Sequence, residues 1–324
     1  MPTSLTTRRS TASCIAVLSV LAALLAPVAD AAPRERWLPG PQHDFNVTRE
    51  GDPGLPNHTV FRPTDLAAPK FMLPVVLWAN GGCRESNEEY RYFLMNFARR
   101  GFFIVANGAP ENAYRPEELE GLAVPEPEQL EQSLDWVTAQ SKDRRSRYHG
   151  LLDTSRIVLM GQSCGGWEAL DVSDDHRVTS TLVWNNGSGF APGRGDLGAL
   201  RQPVAFLVGV APADYVAPTA RVSYEAVPES VPVVYAAHDT AGHTGWWDDP
   251  DPADGVTPEV MKQPLLLAQK WLELTLYGQP SGQAYFVGDG CGLCETDGFS
   301  DVRSKQWEHF DRAPSTAPRR AGAR

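Results

Sequence analysis

Arg156-Ile-Val-Leu-Met-Gly-Gln-Ser-Cys-Gly-Gly-Trp167 is the stretch from which the fold of this chain can be read. Ile157 to Met160 are consecutive apolar residues, two of them β-branched, and predict a short strand buried on both faces. Gly161, Gln162, Ser163, Cys164 and Gly165 then fit G-x-S-x-G, and a segment of helical character follows. Strand, serine, helix in that order puts Ser163 on a sharp, strained turn, held out above the edge of a sheet. A side chain at either glycine would meet the neighbouring strand or helix. The following helix is expected to start at Ser163, so its free N–H groups and dipole favour negative charge developing nearby. Without the flanking elements the same letters also fit a Gly-rich turn with a capping serine.

Outward from this turn, fully apolar segments alternate with amphipathic ones. Asn57 to Arg62 fits a first strand, and Leu73 to Ala79 is a buried strand ending in Asn80-Gly81-Gly82-Cys83. Tyr90, Phe93, Leu94, Phe97 and Ala98 share one face of a helix over 87–100, which Gly101 stops. Phe102 to Ala106 is the next strand, and 107–125 is a Pro- and Glu-rich loop long enough to overhang a site. Leu130, Leu134 and Val137 mark a second helix. Strands follow at Val178 to Trp184, Val204 to Gly209 and Val231 to Ala237, and a helix at Leu265 to Tyr277. The pattern predicts an α/β fold with a mainly parallel central sheet and helices on both faces.

The start of the chain reads as a signal peptide over residues 1–31. Arg8 and Arg9 precede the apolar run Ala12 to Ala26, and Ala29-Asp30-Ala31 is a small-x-small cleavage site. Thr11 and Ala12 stand where a Tat signal carries large apolar residues, so Sec export to a secreted location, extracellular or periplasmic, is expected. Residues 32–311 would form the catalytic domain and 312–324 a disordered Pro/Ala/Arg tail. Cleavage removes Arg8, Arg9 and Asp30 and leaves 27 basic against 39 acidic side chains, a net of −12. That charge disfavours nucleic acid and anionic lipid surfaces as partners. No later apolar run is long enough to span a membrane. The expectation is a soluble monomer.

A serine hydroxyl is a weak nucleophile and needs a base whose tautomer a carboxylate fixes. On a doubly wound sheet such residues lie on loops after the carboxyl ends of strands. Two downstream loops qualify, Gly209-Val-Ala-Pro-Ala-Asp214-Tyr-Val-Ala-Pro218 and His238-Asp239-Thr-Ala-Gly242-His243. Asp214 is the preferred carboxylate over Asp239 and Asp196, and His243 the preferred base over His238. His58, His149, His176 and His309 read as surface residues. The order Ser163, Asp214, His243 is that of α/β hydrolases. The oxyanion of a tetrahedral intermediate needs two donors, expected from the N–H groups of Cys164 and Gly82. Trp184, Trp246 and Trp247 could wall a substrate pocket or simply be core.

Taken together these residues resemble the α/β-hydrolase superfamily over about residues 57–277. Asp214-x-x-Ala217-Pro218 and Gly242-His243 look like the acid and base loops of its polyester hydrolase (cutinase-like) and chlorophyllase-like group. The resemblance implies a serine esterase with Ser163 as nucleophile, Asp214 as acid and His243 as base, acting without a cofactor on a small-molecule or polymeric ester. The chain departs from that group at Gln162 and Cys164, where His and Met are usual, and at Gly82, where an aromatic is usual. A peptidase or acyltransferase on the same scaffold, and a non-catalytic secreted binding protein, are the competing functions.

Cys83, Cys164, Cys291 and Cys294 remain after export, and an even count in an oxidising compartment points to two disulfides with three possible pairings. Cys83 and Cys164 flank the two proposed donors and would pair if this fold holds, leaving Cys291 with Cys294. Zinc is the rival reading of Cys291-x-x-Cys294, but no second such pair or His cluster accompanies it, so no metal is expected.

Overall fold

Every strand that the sequence marks by an unbroken apolar run lies in one sheet. The computed structural model of the protein describes residues 1, 40, 42–112, 128–188, 196–244, 258–308 and 310. The expected signal peptide, the tail at 312–324, most of the 107–125 loop, Trp246, Trp247 and His309 fall outside the described residues.

The strands are β1 Val47–Asp52, β2 Leu55–Pro63, β3 Leu73–Ala79, β4 Phe103–Asn107, β5 Leu152–Gln162, β6 Val178–Trp184, β7 Val204–Gly209, β8 Val233–His238 and β9 Phe299–Lys305. Their order across the sheet is β1-β2-β4-β3-β5-β6-β7-β8-β9. The six from β4 to β8 run parallel, and antiparallel strands close both flanks. Helices α1 Arg91–Arg99, α5 Pro258–Tyr277 and α6 Pro280–Phe286 cover one face, and α2 Glu128–Lys142, α3 Cys164–Asp171 and α4 Ala217–Ala226 the other.

Alternate residues of each parallel strand enter opposite cores, as strand geometry requires. Val76, Trp78, Val158, Met160, Leu207 and Ala236 pack with Phe93, Phe97 and Trp271. Val75, Leu77, Ile157 and Leu159 pack with Leu130, Leu134 and Val137. Burial on both faces explains why these strands are apolar throughout.

The flanking strands escaped the sequence reading for the converse reason. Val47-Thr-Arg-Glu-Gly-Asp52 and Phe299-Ser-Asp-Val-Arg-Ser-Lys305 are polar, partly exposed edge strands held by main-chain pairing to one neighbour. Helix α4 begins at Ala217 with Pro218 in its first turn, inside what reads as a loop. Helix α3 starts at Cys164, one residue later than expected, because Ser163 is its non-helical N-cap. His58 is corrected from surface to interior: it is buried, with Nε2 2.9 Å from the Gln129 carbonyl oxygen. Among the described residues no helix is long and apolar enough to cross a membrane.

Candidate active site

Parallel strands deliver their carboxyl ends to one edge of the sheet, and Gly82, Ser163, Cys164, Asp214 and His243 all follow such ends. In register, Ala79 lies beside Gly161, Gln162 beside Trp184, and Gly209 beside His238. The loops after β3, β5, β7 and β8 therefore leave the sheet side by side.

Ser163 has φ 50° and ψ −114°, a left-handed backbone that a residue with a Cβ adopts only under strain. Its N–H donates to the Trp184 carbonyl at 2.8 Å, and its carbonyl accepts from Gly166 N–H at 2.8 Å and from the Asn186 amide. The turn is possible because of the glycines. A Cβ on Gly161 would lie 2.0 Å from the Gly165 carbonyl oxygen, and one on Gly165 would lie 2.1 Å from that of Ala79. Ser163 itself is only half-buried, so its hydroxyl can meet a substrate.

His243 Nε2 is 2.7 Å from Ser163 Oγ, and His243 Nδ1 is 2.9 Å from Asp214 Oδ1. Asp214 is 0 % exposed, so its charge depends on the donors around it. Its Oδ2 accepts from Gly209 N–H and from Asn185 Nδ2, each at 2.8 Å. Burial pushes this carboxyl up, but the hydrogen bonds from His243, Asn185 and Gly209 outweigh it and hold the group below the usual carboxylate range. An ionised Asp214 places the imidazole proton on Nδ1 and leaves Nε2 as the acceptor facing the serine. The His243 backbone is fixed on both sides: its N–H donates to Ala213 at 3.1 Å and its carbonyl accepts from Gln162 Nε2 at 3.0 Å.

No protein-family model and no curated protein matches the chain.

The rival residues are occupied elsewhere. Asp239 accepts from Ser300 N–H at 3.2 Å and from the Ser300 hydroxyl, and Asp196 caps a short helical turn through Gly198 N–H at 2.9 Å. His238 Nδ1 accepts from Ala241 N–H at 3.0 Å and Thr240 N–H at 3.2 Å, and its ring packs edge-on to Phe299. Burial lowers its pKa, which suits a neutral ring accepting at Nδ1. Trp184 is corrected from pocket wall to core. It is 0 % exposed and packs edge-on to Phe93 at 6.0 Å, because strand alternation turns its side chain into the layer under the sheet.

Cys83 and Cys164 stand at disulfide distance, their Cα atoms 5.3 Å apart, and so do Cys291 and Cys294 at 5.0 Å. The first pair brings the loop after β3 to the start of α3. Gly82 there has φ 61°, and neither its N–H nor that of Cys164 donates to a partner among the described residues. Among the described residues no group of three or more His, Cys, Asp or Glu side chains could hold a metal ion.

Gln162, which the sequence marks only as a departure from the usual His beside the serine, has a structural role. Its Oε1 accepts from the buried Tyr90 hydroxyl at 3.0 Å, and that hydroxyl accepts from Gly81 N–H at 3.0 Å. With the bond to the His243 carbonyl, one buried amide joins the loop after β3, the serine turn and the histidine loop. Gly81 is part of this arrangement, since a Cβ there would lie 1.8 Å from Gln162 Oε1. Asn185 was passed over, although its place at the end of β6, beside the serine turn, was a usable signal. Tyr215 completes the site: its hydroxyl is 3.2 Å from His243 Nε2, and its ring centroid 4.4 Å from that of His243.

Proposed function

We propose that this chain is an exported serine esterase of the α/β-hydrolase type. The observation that carries the reading is a strained, half-buried Ser163 hydrogen-bonded to an imidazole that a buried carboxylate orients. His243 Nε2 takes the hydroxyl proton as Ser163 Oγ attacks the ester carbonyl, and Asp214 stabilises the imidazolium. The negative oxygen of the tetrahedral intermediate lies against the N–H groups of Gly82 and Cys164, each contributing on the order of 10²–10³ in rate. Collapse releases the alcohol, which takes the proton from Nε2, and leaves an acyl group on Ser163. Water then repeats the sequence and frees the acid. The two cysteine pairs at disulfide distance support an oxidising compartment as the place of action.

A fluorophosphonate should label the purified protein at Ser163, and p-nitrophenyl esters of graded chain length should be hydrolysed. Ser163→Ala should abolish labelling and lower kcat on the order of 10⁶-fold. Labelling that survives this substitution removes the proposal.

A further inference from the structure

The proposed reaction assigns no role to Tyr215, yet its hydroxyl reaches the same imidazole nitrogen as the serine. Directly after the buried Asp214, the chain turns this side chain outward, where it is 60 % exposed. Its ring leans over the His243 ring at 34°, with the hydroxyl 3.2 Å from Nε2. Burial of part of the ring and the Asp214 charge both raise the phenol pKa, so the group is a protonated donor at neutral pH.

Any leaving oxygen must come within hydrogen-bond reach of Nε2 to receive its proton. Ser163 Oγ lies 2.7 Å from that nitrogen and the Tyr215 hydroxyl 3.2 Å from it, so the hydroxyl stands where a leaving oxygen must come to collect the proton. We propose that Tyr215 is a leaving-group residue: its hydroxyl donates to the departing alcohol oxygen, and its exposed ring packs against that alcohol's first carbons. The inference rests on the esterase reading above. In acylation the Ser163 Oγ–carbon bond forms and the ester carbon–oxygen bond breaks. The electron pair goes to the leaving oxygen, together with the proton carried by Nε2, and Tyr215 keeps its own proton throughout.

A donor at this position matters in proportion to the charge on the leaving oxygen. It does little for p-nitrophenolate, which departs readily, and much for an aliphatic alkoxide. The substrate class that this residue serves is esters of poorly departing aliphatic alcohols.

The test compares kcat/KM, which reports acylation, for p-nitrophenyl acetate, phenyl acetate and ethyl acetate on wild type, Tyr215→Phe and Ser163→Ala. Tyr215→Phe should act within about twofold of wild type on the p-nitrophenyl ester and lose about tenfold on the ethyl ester, the loss of one hydrogen bond to a charged group. A circular dichroism spectrum that matches wild type is the control that the variant is folded. An equal loss on all three esters, or none on any, overturns the leaving-group role and leaves the esterase reading standing. No hydrolysis by wild type, or full activity in Ser163→Ala, overturns both.

Discussion

Strand β5 has a buried carboxylate near its start and the strained serine just past its end, and the carboxylate pairs at these two ends differ instructively. At the amino end Asp153 is buried, pairs with Arg156, and accepts from the Ser155 hydroxyl at 2.6 Å. Arg156 also donates to the Leu276 carbonyl at 3.1 Å and stacks 5.0 Å from the Tyr277 ring centre. Both charged groups there are taken up by other groups of the protein. At the carboxyl end Asp214 is as deeply buried and as well supplied with donors, but its partner is an imidazole with a second nitrogen. That nitrogen points at a half-buried hydroxyl and an exposed phenol. Buried charge alone therefore does not distinguish a reactive centre from a structural one. The distinction is whether one acceptor stays directed at something a substrate can reach.

Substitutions on the two pairs should separate rate from stability. Asp214→Asn should cost the most, lowering kcat on the order of 10⁴-fold by releasing the imidazole from its tautomer. Steady-state kinetics beside a circular dichroism spectrum will check that the fold persists. Arg156→Met should do the reverse. It leaves Asp153 uncompensated and should lower unfolding free energy by about 3–5 kcal/mol, read by urea titration, with kcat/KM of the folded protein within about twofold of wild type. Gln162→Leu should fall between these behaviours and sharpen the contrast. It strips partners from the Tyr90 hydroxyl and the His243 carbonyl, so stability should drop by about 1–3 kcal/mol, with kcat falling about tenfold at little change in KM. A Gln162→Leu enzyme with unaltered kcat would place Gln162 with Arg156, as a stabilising residue alone.

The buried parts of this molecule were the legible ones. Runs such as Leu73 to Ala79 and Val204 to Gly209 have one physical meaning, a strand covered on both faces, and they lie where the pattern puts them. The serine turn was legible because steric demand fixes its glycines, and Asp214 and His243 because only strand ends can present them to that turn. Edge strands β1 and β9 were not legible: most of their residues are polar and only partly buried, and main-chain pairing, which leaves no mark on composition, holds them in the sheet. Trp184 and His58 show the complementary limit. Apolar or polar identity does not say which way a side chain turns, and both turn inward. Gln162 lies inside the serine motif, but its role depends on Tyr90 and His243, which only the folded chain brings to it.

The space denied to a side chain at Gly81 has a consequence for descent. The Gln162 amide and the Tyr90 hydroxyl fill that space, so a mutation giving position 81 even a methyl group needs room made at positions 162 and 90 alike. Within any set of true descendants of this sequence, a side chain at position 81 should be found only where positions 162 and 90 have both given up the atoms that fill its space, whereas glycine there can outlast either partner.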